Sequence, residues 1–196
     1  MALALLLACP SRIEAQRGGA AAVDRYDQIF RKYTKRFFGP AFDWRLFKAQ
    51  GMAESGLDTA ARSRVGARGI MQLMPSTFES IRSRAPDLMS IDDPEMNIAA
   101  GIRHNRALWR LWPEAATPVD QRQFMLASYN AGQGTIMRAQ GVARASNLDP
   151  HVWPSIEAVA PRVRRWRQGE TLRYLRTIEE WFGLLDERGR LAARRR

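Results

Sequence analysis

The chain has 196 residues, 45% of them hydrophobic, and 31 Lys and Arg against 20 Asp and Glu, for a net charge of +11. That length suits one well-buried domain with short extensions, and no run approaches the ~20 apolar residues of a membrane span. A single cysteine, Cys9, excludes an internal disulfide framework and any cysteine-rich metal site. The basic excess, concentrated at Arg162, Arg164, Arg165 and Arg167 and again at Arg188, Arg190 and Arg194 to Arg196, fits an anionic partner or simply solvated basic faces. No helix-turn-helix, paired zinc ligands or aromatic RNA-binding strand is present, so no nucleic acid partner is expected.

Residues 1–8 are apolar, and Leu6-Leu7-Ala8-Cys9 resembles the lipobox of bacterial lipoproteins. Residues 10–23 are polar and small, as a tether would be. The run is short and lacks a basic n-region, so a lipid anchor on Cys9, a plain export signal and a chance apolar start all stay open. The expected organisation is an export or lipoprotein-like segment and tether over 1–23, a helical domain over 24–187, and a basic tail over 188–196.

Residues 24–38 carry Tyr26, Ile29, Phe30, Tyr33 and Phe37 at helical spacing until Gly39-Pro40 breaks the pattern. Asp43 reads as the N-cap of a helix over 44–55 that Gly56 stops. A loop follows through Gln72, and Pro75 opens a helix to about Ser83. Asp93-Pro94 starts a long helix with Ile98, Ile102, Asn105, Trp109 and Trp112 facing inward, ending before Pro113. Residues 120–130 form a helix that stops at Ala131-Gly132. A short helix over 135–140 is expected to end at Gly141, and another covers 153–159. Leu172, Leu175, Ile178, Phe182 and Leu185 mark a last amphipathic helix. The pattern predicts an all-α domain with minimal strand.

Phe47, Gly51 and Glu54 fall on one helix face, so Glu54 lies where an apolar stripe reaches the helix end. Partial burial there favours the protonated carboxyl, as a general acid requires. Gly51 is expected to admit a close approach, and Gly66 and Gly69 to bring backbone near a ligand. Gln72 supplies both donors and an acceptor, and Ser63 a hydroxyl. The bland alternative for this stretch is a tight hairpin with Met71 and Met74 in the core. Tyr129 and Asn130 close a helix and can project into a cleft.

Glu54-Ser55, the run from Ser63 through Gly66-Ala67 and Gly69-Ile70-Met71-Gln72-Leu73-Met74-Pro75-Ser76-Thr77, Tyr129-Asn130-Ala131-Gly132, and Glu170-Thr171 with Tyr174 occur in that order. Together they resemble the four motifs of the soluble lytic transglycosylase (SLT) domain, a goose-lysozyme-like helical fold, over most of the chain. The segments at 43–45 and 153–161 lean toward the membrane-bound F-type subgroup. Ile70, Ser128 and Thr59 depart from the usual pattern without removing a polar group.

The resemblance implies a peptidoglycan lytic transglycosylase in the cell envelope, on its periplasmic face, acting on glycan strands. Glu54 would be the acid and base, and Ser63, Met71 through its backbone, Gln72, Tyr129, Asn130 and Tyr174 the substrate-binding set. No metal or cofactor is implied, and His104 and His151 read as structural or exposed. Two-carboxylate glycosidases need a second acid. Asp58 is the available candidate for a hydrolytic, goose-type muramidase; Asp92 and Asp93 read as a helix start and Glu79 as an outer-face residue. A non-catalytic wall-binding adaptor is the other alternative. The oligomeric state is not read from the sequence.

Overall fold

Backbone donors at helix starts need acceptors, and Asp43, Asp93, Thr117 and Asp120 supply them at four of this chain's helices. The structure, a computed structural model, describes residues 24–191; the Cys9 segment with its tether and the arginines Arg194 to Arg196 lie outside the described residues. Eight α-helices and one 3-10 turn are described, with isolated β-bridges and no sheet: α1 Asp27–Phe38, α2 Arg45–Ser55, α3 Pro75–Arg82, α4 Pro94–Trp109, α5 Pro118–Ala131, α6 Gln133–Ala145, α7 Trp153–Val159, the 3-10 turn Ala160–Arg162, and α8 Gln168–Leu184. The described residues form two compact units, one of residues 24–103 with 177–191 and the other of residues 104–176.

In the first unit, Asp43 Oδ1 accepts from the Arg45 amide at 3.0 Å, so Asp43 caps α2 as expected even though regular helix begins at Arg45. Every residue of α2 from Leu46 to Glu54 is buried, polar ones included, so this helix is enclosed rather than one-faced. Phe38, Phe42 and Phe47 cluster at its start, with ring centroids 4.4–5.5 Å apart. Gly51 meets a close approach, but from the protein itself: a Cβ there would lie 3.1–3.2 Å from Ile70, Leu57 and Phe30. Gly56 then ends the helix in the left-handed region at φ 67°.

Lys48 is completely buried, which a sequence reading cannot anticipate for a lysine. Its ammonium pairs with Asp27, lies 3.2 Å from Asp24 Oδ1, and donates to the Gly189 carbonyl at 2.7 Å. Residues 188–190 are therefore bound to the helical body; Arg31 donates to the Arg188 carbonyl, and a Cβ on Gly189 would fall 2.1 Å from the Trp44 ring. The start of the expected tail folds back onto α1 and α2.

In the second unit, Thr117 caps α5: its Oγ1 accepts from the Asp120 amide at 3.1 Å and donates to Asp120 Oδ2 at 2.6 Å. Asp120 Oδ1 also accepts from the Trp153 amide at 2.8 Å, which ties the start of α7 to the start of α5. Trp112, Phe124 and Trp153 pack ring on ring beside them. Helix α6 does not end at Gly141 but runs to Ala145. A mid-helix glycine costs only about 1 kcal/mol relative to alanine, and burial of Ala139 and Ala143 against neighbouring helices outweighs it. Tyr174, not Leu172, is the fully buried residue of the α8 segment in this unit.

His104 packs its ring 5.2 Å from that of Tyr129, and burial pushes its imidazole down to about 4 from the usual 6.5. A depressed folded value stabilises the neutral form, so its contribution is complete above pH 6.5 and is lost as pH falls toward 4. His104→Gln should remove about 3 kcal/mol of the acid destabilisation across that window; urea unfolding at pH 7 and pH 4.5 measures it, and an unchanged pH dependence would refute the assignment. Lys48→Ala should cost about 3 kcal/mol at pH 7 because it leaves the half-buried Asp27 without its buried cation. That loss should shrink toward pH 4 as Asp27, already held above its ordinary value by burial, takes up a proton; an unaltered unfolding midpoint would contradict it.

Candidate active site

Glu54 occupies the last turn of α2 and is 5% exposed. Its neighbour Ser55 donates from Oγ to the Ile70 carbonyl at 2.9 Å, and to the Gly51 carbonyl at 3.4 Å. The helix end that carries the acid is thus bonded directly to the loop that follows it in sequence.

That loop is a nested pair of turns. Ser63 Oγ accepts from the Ala67 amide at 2.9 Å, while the Ser63 amide donates to the Ala67 carbonyl. Arg68 and Leu73 exchange two backbone bonds of 2.9 and 3.0 Å. Gln72 sits between them in the left-handed region at φ 44°, a conformation uncommon for a residue with a side chain. Its Nε2 donates to the Gly69 carbonyl at 2.9 Å and the Ala61 carbonyl at 3.2 Å. Two carbonyls facing one end of the carboxamide fix which end is nitrogen. Gln72 therefore spends its donors on the loop, and the group it can offer a ligand is its oxygen.

Asn97, in the first turn of α4, was not among the residues expected to build the site. It is 1% exposed and fully used: Oδ1 accepts from the Met71 amide at 2.8 Å, and Nδ2 donates to the carbonyls of Arg68 at 3.0 Å and Ile91 at 2.9 Å. Gly69 is a glycine for this reason. Its φ is 72°, and a Cβ would lie 2.6 Å from Asn97 Nδ2. The close approach expected of a ligand at Gly69 is made by Asn97. Met71 is fully buried with its amide committed to Asn97, and its side chain fills the space left by Gly101. The tight turn expected of this stretch is present, with Met71 in the core and Met74 only half-buried.

Glu54, Ser63, Met71 and Gln72 thus belong to one unit, and Tyr129, Asn130 and Tyr174 to the other. Tyr129 is 9% exposed and Asn130 7%, on the last turn of α5 where Gly132 ends the helix. Asn130 Nδ2 is buried with no hydrogen-bond partner among the described residues. Tyr174 has no exposed surface, which fits a supporting wall and leaves no open face to stack on a sugar. Asp58 is exposed and caps its own loop, Oδ1 accepting from the Ala60 amide at 2.8 Å. Asp93 caps α4 through the Met96 amide, Asp92 pairs with Arg62 and Arg68, and Glu79 pairs with Arg82. Among the described residues no three His, Cys, Asp or Glu side chains gather as a metal site would need.

The family model of the transglycosylase SLT domain matches residues 30–151, which takes in each of these residues except Tyr174. The membrane-bound lytic murein transglycosylase F of Ectopseudomonas mendocina is 29% identical over 172 residues, 82% of this chain and 34% of that protein. The protein of the same name from Vibrio campbellii is 31% identical over 150 residues, 76% of this chain and 26% of that one. The chain thus spans about a third or less of the length of these relatives. The crystal structure of the 70 kDa soluble lytic transglycosylase of Escherichia coli superposes with a TM-score of 0.61 at 23% identity, covering 78% of this chain and 22% of that one, so the two share a fold. The family match carries the acid-bearing helix, the glycine loop and the Tyr129-Asn130 helix end together, and the chain belongs to the transglycosylase SLT domain family.

Proposed function

We propose that this chain is a peptidoglycan lytic transglycosylase, cleaving the β-1,4 bond between N-acetylmuramic acid and N-acetylglucosamine without water. The observation that carries the reading is the 5% exposed Glu54 carboxyl on a helix end bonded to the glycine loop, within the matched family domain. Several relatives bear the name of that activity.

In this reading Glu54 protonates the glycosidic oxygen as the C1–O bond breaks. As carboxylate it then takes the proton of the muramyl 6-hydroxyl, whose oxygen bonds to C1 of the same ring. The acid is regenerated and the product ends in a 1,6-anhydro sugar. Attack from within the same sugar has a large proximity advantage over bulk water. The Gln72 oxygen, Ser63, Tyr129, Asn130 and the Met71 backbone hold the N-acetyl sugars. Hydrolysis would need a second carboxylate to position water, and Asp58, exposed and engaged with Ala60, is poorly placed for that work.

The chain would act in the cell envelope on glycan strands at the periplasmic face, held there by lipidation of Cys9 if that cysteine is acylated. No helix among the described residues is long and apolar enough to cross a membrane.

Mass spectrometry of fragments released from purified peptidoglycan tests the reaction. Products lighter by one water than hydrolytic muropeptides are expected; reducing-end products would mean a muramidase, and no release would favour an adaptor. Glu54→Gln should lose at least ~10²-fold in rate while staying folded. Tyr129→Phe should lose less than Glu54→Gln, and a rate equal to the wild type would remove Tyr129 from the site.

A further inference from the structure

The groove beside Asn130 in the second unit is lined by Ala131, Thr135, Arg165, Trp166, Arg167, Glu170 and Thr171. Its charge is lopsided. Arg165 and Arg167 line it, and Arg138 reaches its edge by donating to Thr135 Oγ1 at 3.0 Å. The one acid lining it, Glu170, is met by Arg167 at 3.3 Å. Arg165 is exposed and makes no ion pair or hydrogen bond among the described residues. Asn130 adds a buried amide nitrogen with no acceptor among those residues.

The backbone singles out Arg165 independently. Arg164 and Arg165 are the central residues of a turn closed by the Trp166 amide on the Val163 carbonyl, and Arg165 stands at φ 59°. A positive φ at the third position of such a turn is ordinarily taken by glycine or asparagine. A long cationic side chain there strains the backbone and gains no hydrogen bond or ion pair among the described residues. Strain held without internal reward points outward, to a ligand.

From this juxtaposition we infer that the Arg165–Arg167 turn and Asn130 form a carboxylate subsite, reading an acid group carried on the O-3 lactyl arm of muramic acid. The inference rests on the proposed activity for its substrate and names which part of that substrate this groove recognises. The carboxylate has two possible sources on that arm: an acidic group of the peptide stem, or the lactyl carboxyl itself where the stem has been removed. A guanidinium and an amide N–H are matched donors for either.

The full chain is assayed on intact glycan strands, on strands whose carboxyls have been converted to amides, and on strands stripped of stems by an amidase. The wild type should prefer intact to amidated strands by about fivefold to tenfold in kcat/KM, the scale of a partly screened charge-assisted bond. Arg165→Gly should erase most of that preference while its thermal midpoint equals or exceeds the wild type's. Arg165→Gln, which keeps the strain and removes the charge, should erase it too, and Arg165→Lys should retain part of it. Stripped strands behaving like intact ones would assign the lactyl carboxyl; behaving like amidated ones, the stem. A preference unchanged in both Arg165→Gly and Arg165→Gln overturns the subsite. If Arg165→Gly unfolds, Arg165→Gln alone decides. If no strand is cleaved, the proposed activity fails and the subsite is judged by binding: muramyl dipeptide, but not its carboxamide, should shift the Trp166 indole N–H resonance in the labelled protein, and equal or absent shifts reject it.

Discussion

The carboxamide of Asn97 makes two hydrogen bonds to the loop that follows Glu54, at Met71 and Arg68, and a third to the Ile91 carbonyl beyond α3, and that loop has its shape because of the first two. A loop that turns back on itself leaves amides and carbonyls pointing inward, where water cannot serve them. One buried side chain offering two donors and two acceptor sites is an economical answer. Its position so near the chain requires Gly69 to lack a Cβ. The same constraint commits the Met71 amide and forms part of the setting in which Gln72 adopts its left-handed backbone. Ser55 then joins this loop to the helix end beside Glu54. The helix end beside the acid is held by the Ser55 hydroxyl between the Gly51 and Ile70 carbonyls, so polar bonds as well as apolar packing fix where it lies.

A second constraint acts on the other end of α2. A buried lysine is unfavourable unless its charge is met, and Lys48 is met by two carboxylates and a carbonyl. The partners come from before α2 and from residue 189, far along the chain, so the interaction closes the sequence ends of this unit over one helix. With Asn97 organising the loop at the Glu54 end and Lys48 clamping the start, α2 has little freedom to slide or rotate. Rigid supporting elements of that kind suit the general-acid role proposed for Glu54, since small displacements of a catalytic group are costly.

Much of this was legible in the sequence, and the reasons are specific. Asp43, Gly56, Pro75, Asp93-Pro94 and Gly132 act through local backbone chemistry, so the elements they bound could be placed from neighbours alone. The burial of Glu54 was legible because it follows Phe47 and Gly51 at helical spacing, although α2 is enclosed on every side rather than along one stripe. That of Asn97 was not, because a polar residue in the first turn of a helix usually faces water, and Asn97 lies off the expected inward stripe of Ile98, Ile102 and Asn105. Lys48 was hidden for a similar reason, its partners lying outside any local window. Gly141 misled because a glycine stop signal and a tolerated mid-helix glycine look alike until the packing of Ala139 and Ala143 is known. The lining of the groove at Asn130 was only half visible: the arginines could be counted, but not that one of them occupies a turn position suited to glycine.

Glycine and its absence thus carry different information at three places in this chain. At Gly69 the missing side chain makes room for Asn97, so the backbone conformation and the packing agree on the residue. At Gly141 nothing lies within 4 Å of where a Cβ would be, and neither conformation nor packing asks for glycine. At Arg165 the conformation favours glycine, and the arginine makes no hydrogen bond or ion pair among the described residues in return. Folding alone accounts for the first and tolerates the second. The third runs against what folding favours, in a groove where positive charge outnumbers negative, and a binding function supplies the term that folding does not.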